Sequence, residues 1–160
     1  MSDLYMRQRV FSWGDKFEIY APDGSVKYYV EGEVFTFGKK LHLYDMSGNE
    51  LAYIEQKMFS FLPKYFIYLP NREPVEVVKE FTFFSPEYSV YGPDWKVKGD
   101  FFDHDYEVYD GKAVVARVYR DWFTWGDAYA IDFGFGADEV MALSVVLVID
   151  ACLESQNNHN

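Results

Sequence analysis

Apolar and polar positions alternate in short runs along most of the chain. Leu41 and Leu43 alternate with His42 and Tyr44, and Val114, Ala116 and Val118 with Val115, Arg117 and Tyr119. Tyr65, Ile67 and Leu69 share one face of a further run. A period of two marks a strand with one face buried. Between the runs stand turn signals: Pro22-Asp23-Gly24, Ser47-Gly48-Asn49, Pro70-Asn71, Gly92-Pro93-Asp94 and Asp110-Gly111. The last is the dipeptide preferred in a two-residue type I′ hairpin loop. Many short strands with regular turns predict an all-β sandwich or barrel.

The pattern also repeats. The segment from Glu50 through Phe59 aligns with that from Val114 through Phe123, and at the same spacing Tyr65 and Ile67 fall on Tyr129 and Ile131. Upstream, Leu41-His42-Leu43-Tyr44-Asp45 matches Tyr106-Glu107-Val108-Tyr109-Asp110, and Phe17-Glu18-Ile19-Tyr20 matches Tyr88-Ser89-Val90-Tyr91. Two copies of one multi-stranded unit, each with unpaired edges, satisfy those edges by closing into a barrel. The expectation is a mainly β fold: a closed antiparallel barrel of two repeated units.

One segment breaks the alternation. From Val140 to Ile149 only Ser144 is polar, and the run is preceded by Asp138-Glu139. Acidic residues suit a helix N-terminus. A membrane span needs about 20 apolar residues, and this run is shorter, with acids at both ends. A helix that is apolar on every side is buried on every side. The pattern predicts one domain over residues 1–154, with a central helix at about 138–154 inside the barrel, and a polar tail over 155–160. Gly134-Phe135-Gly136 is read as the turn that lets the chain enter the barrel, since it lacks the Gly-Lys of a phosphate loop.

Composition narrows the partners. The 160 residues carry a net charge of −11, which opposes the clustered cations a nucleic-acid surface needs. Aromatics make up 21% of the chain and favour sheet. Trp13, Trp95, Trp122 and Trp125 are expected to pack between helix and wall. The single cysteine, Cys152, lies in the apolar run and is expected to be a core residue of a cytoplasmic, monomeric protein. The N-terminus lacks the apolar core of a signal peptide.

Three stretches resemble a known family. They are the opening Tyr5-Met6-Arg7-Gln8-Arg9-Val10-Phe11-Ser12, the run from Tyr28 to Leu41, and Gly48-Asn49-Glu50-Leu51-Ala52-Tyr53-Ile54-Glu55-Gln56-Lys57. With the apolar helix, they are similar to bacterial LURP-one-related proteins, and the similarity covers nearly the whole chain. That family is similar in turn to the C-terminal domain of Tubby proteins and to phospholipid scramblases. The resemblance implies about twelve strands wrapped around a hydrophobic C-terminal helix. Plant members are linked to defence responses, and Tubby domains bind phosphoinositides through a basic surface site. In this chain the only adjacent basic pair is Lys39-Lys40, the expected ligand-binding residues if such a site is present.

Candidate chemistry is sparse. Phe102-Asp103-His104-Asp105 is the densest polar cluster, and it reads as a solvated hairpin. Asp150, near the end of the apolar helix, must reach the barrel mouth or pair with a cation such as Arg117 or Arg120. No nucleophile motif, metal-ligand spacing or cofactor fingerprint appears. The expected function is a non-enzymatic binding or scaffold module whose ligand the residues do not identify. The family resemblance implies a lipid or membrane association, and a protein partner is the other candidate. The alternative is an enzyme with an unrecognised carboxylate site at Asp103, Asp105 or Asp150.

Overall fold

In the computed structural model, residues 2–7, 16–33, 37–121 and 128–157 are described. Twelve strands form one antiparallel meander: β1 (Leu4–Arg7), β2 (Lys16–Tyr20), β3 (Val26–Gly32), β4 (Lys40–Asp45), β5 (Glu50–Gln56), β6 (Lys64–Tyr68), β7 (Val75–Phe81), β8 (Pro86–Tyr91), β9 (Trp95–Asp100), β10 (Asp105–Asp110), β11 (Ala113–Asp121) and β12 (Ala128–Phe133). Each pairs with its neighbours in sequence, and β1 closes the barrel on β12 through Leu4↔Ile131 to Arg7↔Ala128. Among the described strands no sheet edge is left unpaired, which removes the usual site of strand-to-strand aggregation.

The repeat is visible in the geometry. It sets β2, β4, β5 and β6 on β8, β10, β11 and β12, six strands further on. The ladder slips between Leu43 and Tyr44 on β4, and between Val108 and Tyr109 on β10. These are equivalent positions in the two halves. A bulge bends its strand and tightens its twist, so the matched bulges place matched corners in the wall.

The lumen is filled by α1 (Glu139–Asn157). Every residue from Met141 to Cys152 is buried, a stretch of about 18 Å at ~1.5 Å per residue. Strands of five to seven residues span roughly the same height at about 3.3 Å per residue. Leu143, Leu147 and Ile149 face Leu43, Ile54, Ile67, Val97, Val108 and Ile131 in one continuous core. Ser144 is satisfied within the helix, its hydroxyl donating to the Val140 carbonyl at 2.7 Å. The helix runs about a turn's worth of residues past the apolar stretch, where the Ser155 hydroxyl donates to the Ala151 carbonyl. No helix among the described residues is long and apolar enough to cross a membrane.

The two ends of the barrel differ. All five predicted turns lie at one end, with Gly24, Gly48, Asn71, Gly92, Asp94 and Gly111 at positive φ. The chain enters the lumen there. Asp138 caps the helix by accepting from the Met141 amide, and Glu139 is held by Lys27 at 3.0 Å and by the Tyr28 hydroxyl. The helix therefore points its C-terminal half at the opposite end, where the connections are longer.

Candidate functional site: the open rim of the barrel

The connections at the helix C-terminal end carry an unusual load of exposed phenylalanine. Phe37 lies before β4, Phe59 and Phe61 between β5 and β6, Phe81, Phe83 and Phe84 at the β7–β8 connection, and Phe102 between β9 and β10. Phe59, Phe61, Phe83 and Phe84 are almost fully exposed. Of the exposed phenylalanines among the described residues, only Phe135 lies at the other end. Folding does not gain from side chains left in water, and large exposed apolar patches mark interaction surfaces. The Phe37 and Phe59 rings meet at 5.5 Å, so two neighbouring connections present one surface. Phe59 holds φ at 60°, a left-handed conformation costly for a bulky residue and typical of functional loops.

Charge at the rim is local. Residues 37–40 and 57–64 contain Lys39, Lys40, Lys57 and Lys64 and no acid, on a chain of net charge −11. The structure sends the expected pair of lysines in different directions. Lys39 reaches inward and donates from Nζ to the Ala151 carbonyl of α1 at 2.6 Å. Lys40 lines a shallow outer concavity of about 520 Å³ with Glu33, His42, Glu50, Tyr53 and Tyr68. Lys64 is paired with Glu76 at 2.8 Å.

A larger cavity of about 770 Å³ opens between the β7–β8 and β9–β10 connections and the end of α1. Its walls include Lys79, His104, Arg120, Phe101, Phe102 and Leu153. His104 is stacked on Tyr129 at 4.4 Å between ring centres. Burial lowers its pKa, against the opposing charge of Asp150. Deeper in the lumen the buried hydroxyls of Tyr65 and Tyr88 make no well-formed hydrogen bond among the described residues and face the Cys152 thiol. Burial pushes that thiol up to about 11 and the tyrosines well above their usual range, so all three are neutral near pH 7. Cys152 is a core residue, as its sequence context predicts.

The carboxylates expected as an alternative catalytic set are divided between two environments. Asp103 and Asp105 are exposed on the outside of the barrel, where Asp105 lies 3.8 Å from Arg117. Asp150 is inside, 8% exposed, where its charge raises the buried Tyr106 phenol further after burial itself. No group of three or more His, Cys, Asp or Glu with metal-binding arrangement occurs among the described residues. Trp95 is buried in the core, whereas Trp13, Trp122 and Trp125 lie outside the described residues.

Sequence reading passed over the phenylalanine rim because an aromatic surplus reads as strand. A signal was available. Phe59-Ser60-Phe61-Leu62-Pro63 and Phe81-Thr82-Phe83-Phe84-Ser85-Pro86 each run into a proline, which a central strand excludes.

Comparison with known proteins matches this architecture. Over 93% of this chain and 90% of the other, the fold is similar to a protein of Arabidopsis thaliana solved by X-ray crystallography, with a TM-score of 0.64 at 17% identity. The Bacillus subtilis (strain 168) protein YxjI is 33% identical over 160 residues, covering 100% of this chain and 99% of that protein. The LURP-one-related family profile matches residues 2–150. A helix-filled twelve-stranded barrel, whole-length similarity to YxjI and this profile together place the chain in the LURP-one-related family.

Proposed function

We propose that this protein is a non-enzymatic binding module that associates with lipid or membrane surfaces through the open rim. The observation that carries the reading is the set of seven exposed phenylalanines gathered at one end of the barrel. They stand on separate connections rather than on one flat face, so each can enter a soft apolar medium independently. Burying a phenylalanine side chain contributes about 1.5–3 kcal/mol, so several acting together suffice for reversible docking. Lys40 and Lys57, near Phe37 and Phe59 in sequence, supply positive charge toward anionic headgroups. The occupied lumen favours a surface mode of binding, because α1 fills the space that other barrels keep for ligand. In this reading the protein works as a cytoplasmic monomer with its thiol buried.

Flotation with vesicles of phosphatidylcholine containing phosphatidylglycerol tests the proposal. The native protein is expected to rise with the vesicles at low salt. The double variant Phe59→Ser/Phe61→Ser is expected to lose at least about tenfold in partitioning, on the burial scale above, with an unchanged melting temperature. Native protein that stays at the bottom of the gradient at low salt overturns the reading.

A further inference from the structure

The cavity at the rim contains a charge that membrane docking alone does not explain. β7 directs Val75, Val77 and Lys79 to the lumen side, and Lys79 is only 5% exposed. Asp150 is the other buried charged residue among those described. The Lys79 ammonium forms no ion pair and no side-chain hydrogen bond among the described residues. Its surroundings are Tyr88 directly across the β7–β8 ladder, the Cys152 thiol from α1, and the Phe81 ring with its centre at 5.6 Å. Burial lowers its pKa, which is the sign of a charge placed where water solvates it poorly.

Folding alone gives no reason to put an ammonium there. The stem of Lys79 is buried and its ammonium meets water only through the cavity, so without an ionic partner it costs more there than an apolar residue of similar volume. The residue nevertheless lines the 770 Å³ cavity together with Arg120, so two cationic side chains face one space, and His104, its pKa lowered by burial, stands beside them. Asp100 also lines it, with its Oδ1 already accepting from the Asp103 amide at 3.1 Å. Phe101, Phe102 and Leu153 give the cavity an apolar side, and Ser85, Pro86 and Gly99 complete the lining.

We propose that this cavity binds an amphiphilic oxyanion, a carboxylate or phosphate head carrying an alkyl chain, with Lys79 as the counter-ion of the head and Phe101, Phe102 and Leu153 along the chain. The proposal rests on the rim being the ligand-facing end of the molecule. An alkyl-bearing anion fits better than a small one, since the cavity is large and much of its wall is aromatic or aliphatic.

Isothermal titration of the full chain with decyl phosphate, decanoate, decanol and inorganic phosphate, each below its aggregation limit, tests it. The native protein is expected to bind decyl phosphate and decanoate and to bind decanol much more weakly. Lys79→Met is expected to weaken decyl phosphate binding by roughly 10- to 100-fold, the usual scale for losing a charge-assisted contact. The same variant should melt no lower than the native protein, because it removes an unpaired charge. Equal affinity of native protein and Lys79→Met for decyl phosphate overturns the proposal. Decanol binding as tightly as decanoate overturns it with native protein alone. Inorganic phosphate binding as tightly as decyl phosphate overturns the amphiphile and leaves a free oxyanion as ligand. Flotation of Lys79→Met separates the two readings: vesicle docking with lost decyl phosphate binding assigns docking to the phenylalanines and the head to Lys79. Native protein that binds decyl phosphate but fails to float removes the membrane reading and leaves the site.

Discussion

A Cβ added to Gly134 would stand 2.2 Å from the Val114 carbonyl oxygen, a backbone atom that cannot swing aside. Gly134 also donates its amide to the Val115 carbonyl at 2.8 Å, which fixes the close approach just before the chain turns into the lumen. Gly134→Ala is therefore expected to cost about 3 kcal/mol or more, at the upper end of overpacking effects, measurable as a shift of the urea midpoint. The glycine stood out in the sequence because it lies between a strand pattern and an apolar helix. Lys79 did not, because Val-Glu-Val-Val-Lys-Glu-Phe offers apolar residues on both parities. Val78 is buried alongside Val77, so the alternation that would have turned Lys79 inward is blurred at its own position.

Among the elements, α1 was the most legible and the rim connections the least. Its apolar run, interrupted only by Ser144, admits burial on every side, and each side is met by wall. Leu147→Ala removes a side chain that is 1% exposed and surrounded by a closed wall that cannot collapse inward easily. The expected loss is about 3–5 kcal/mol, toward the high end for core leucines, read by chemical denaturation with the barrel's near-ultraviolet signal as reporter. The helix ends later than the hydrophobic pattern indicates, since hydroxyl-to-carbonyl bonding at Ser155 lets polar residues continue it. The rim connections have no period to read. Their chemistry appears only when the meander gathers segments distant in sequence at one end.

For the molecule as a whole, pH offers a test of how the interior is solvated. Tyr28, Tyr65, Tyr88 and Tyr106 all have pKa values raised above 10.0, in each case chiefly by burial. The folded state keeps their protons where the unfolded chain releases them. Their contribution is full below pH 10 and is lost as pH climbs above it, so stability is expected to fall steeply beyond about pH 10. Lys79 acts in the opposite sense: its value is lowered, so stability rises as pH climbs through it toward 10.5. Denaturation midpoints between pH 7 and 11 should trace a rise and then a fall, and Lys79→Met should flatten only the rise. Cys152, raised to about 11 by burial, adds to the fall from about pH 9. The lysine's part is therefore read as the difference between native protein and Lys79→Met, and identical profiles would show that the lysine is well solvated. The two-unit barrel itself was readable from sequence, because four matched segments in one order require paired edges. The site was not, because the cavity draws on β7, the end of β9, the β9–β10 connection, β11 and α1 together.

Closure of the wall has a consequence for how the chain reaches its native state. Strands β1 and β12 come from opposite ends of the barrel sequence, and α1 follows both. During synthesis, therefore, every strand leaves the ribosome before the segment that supplies the barrel's interior. Neighbouring hairpins can form early, but the seam between Leu4 and Ile131 has no core to close upon until α1 arrives. Slow, late assembly is the expected outcome, with loop-closure entropy opposing it until the last contacts form. Until then the nascent barrel is an open, apolar sheet with two unpaired edges, the form in which a cell's folding helpers would meet it.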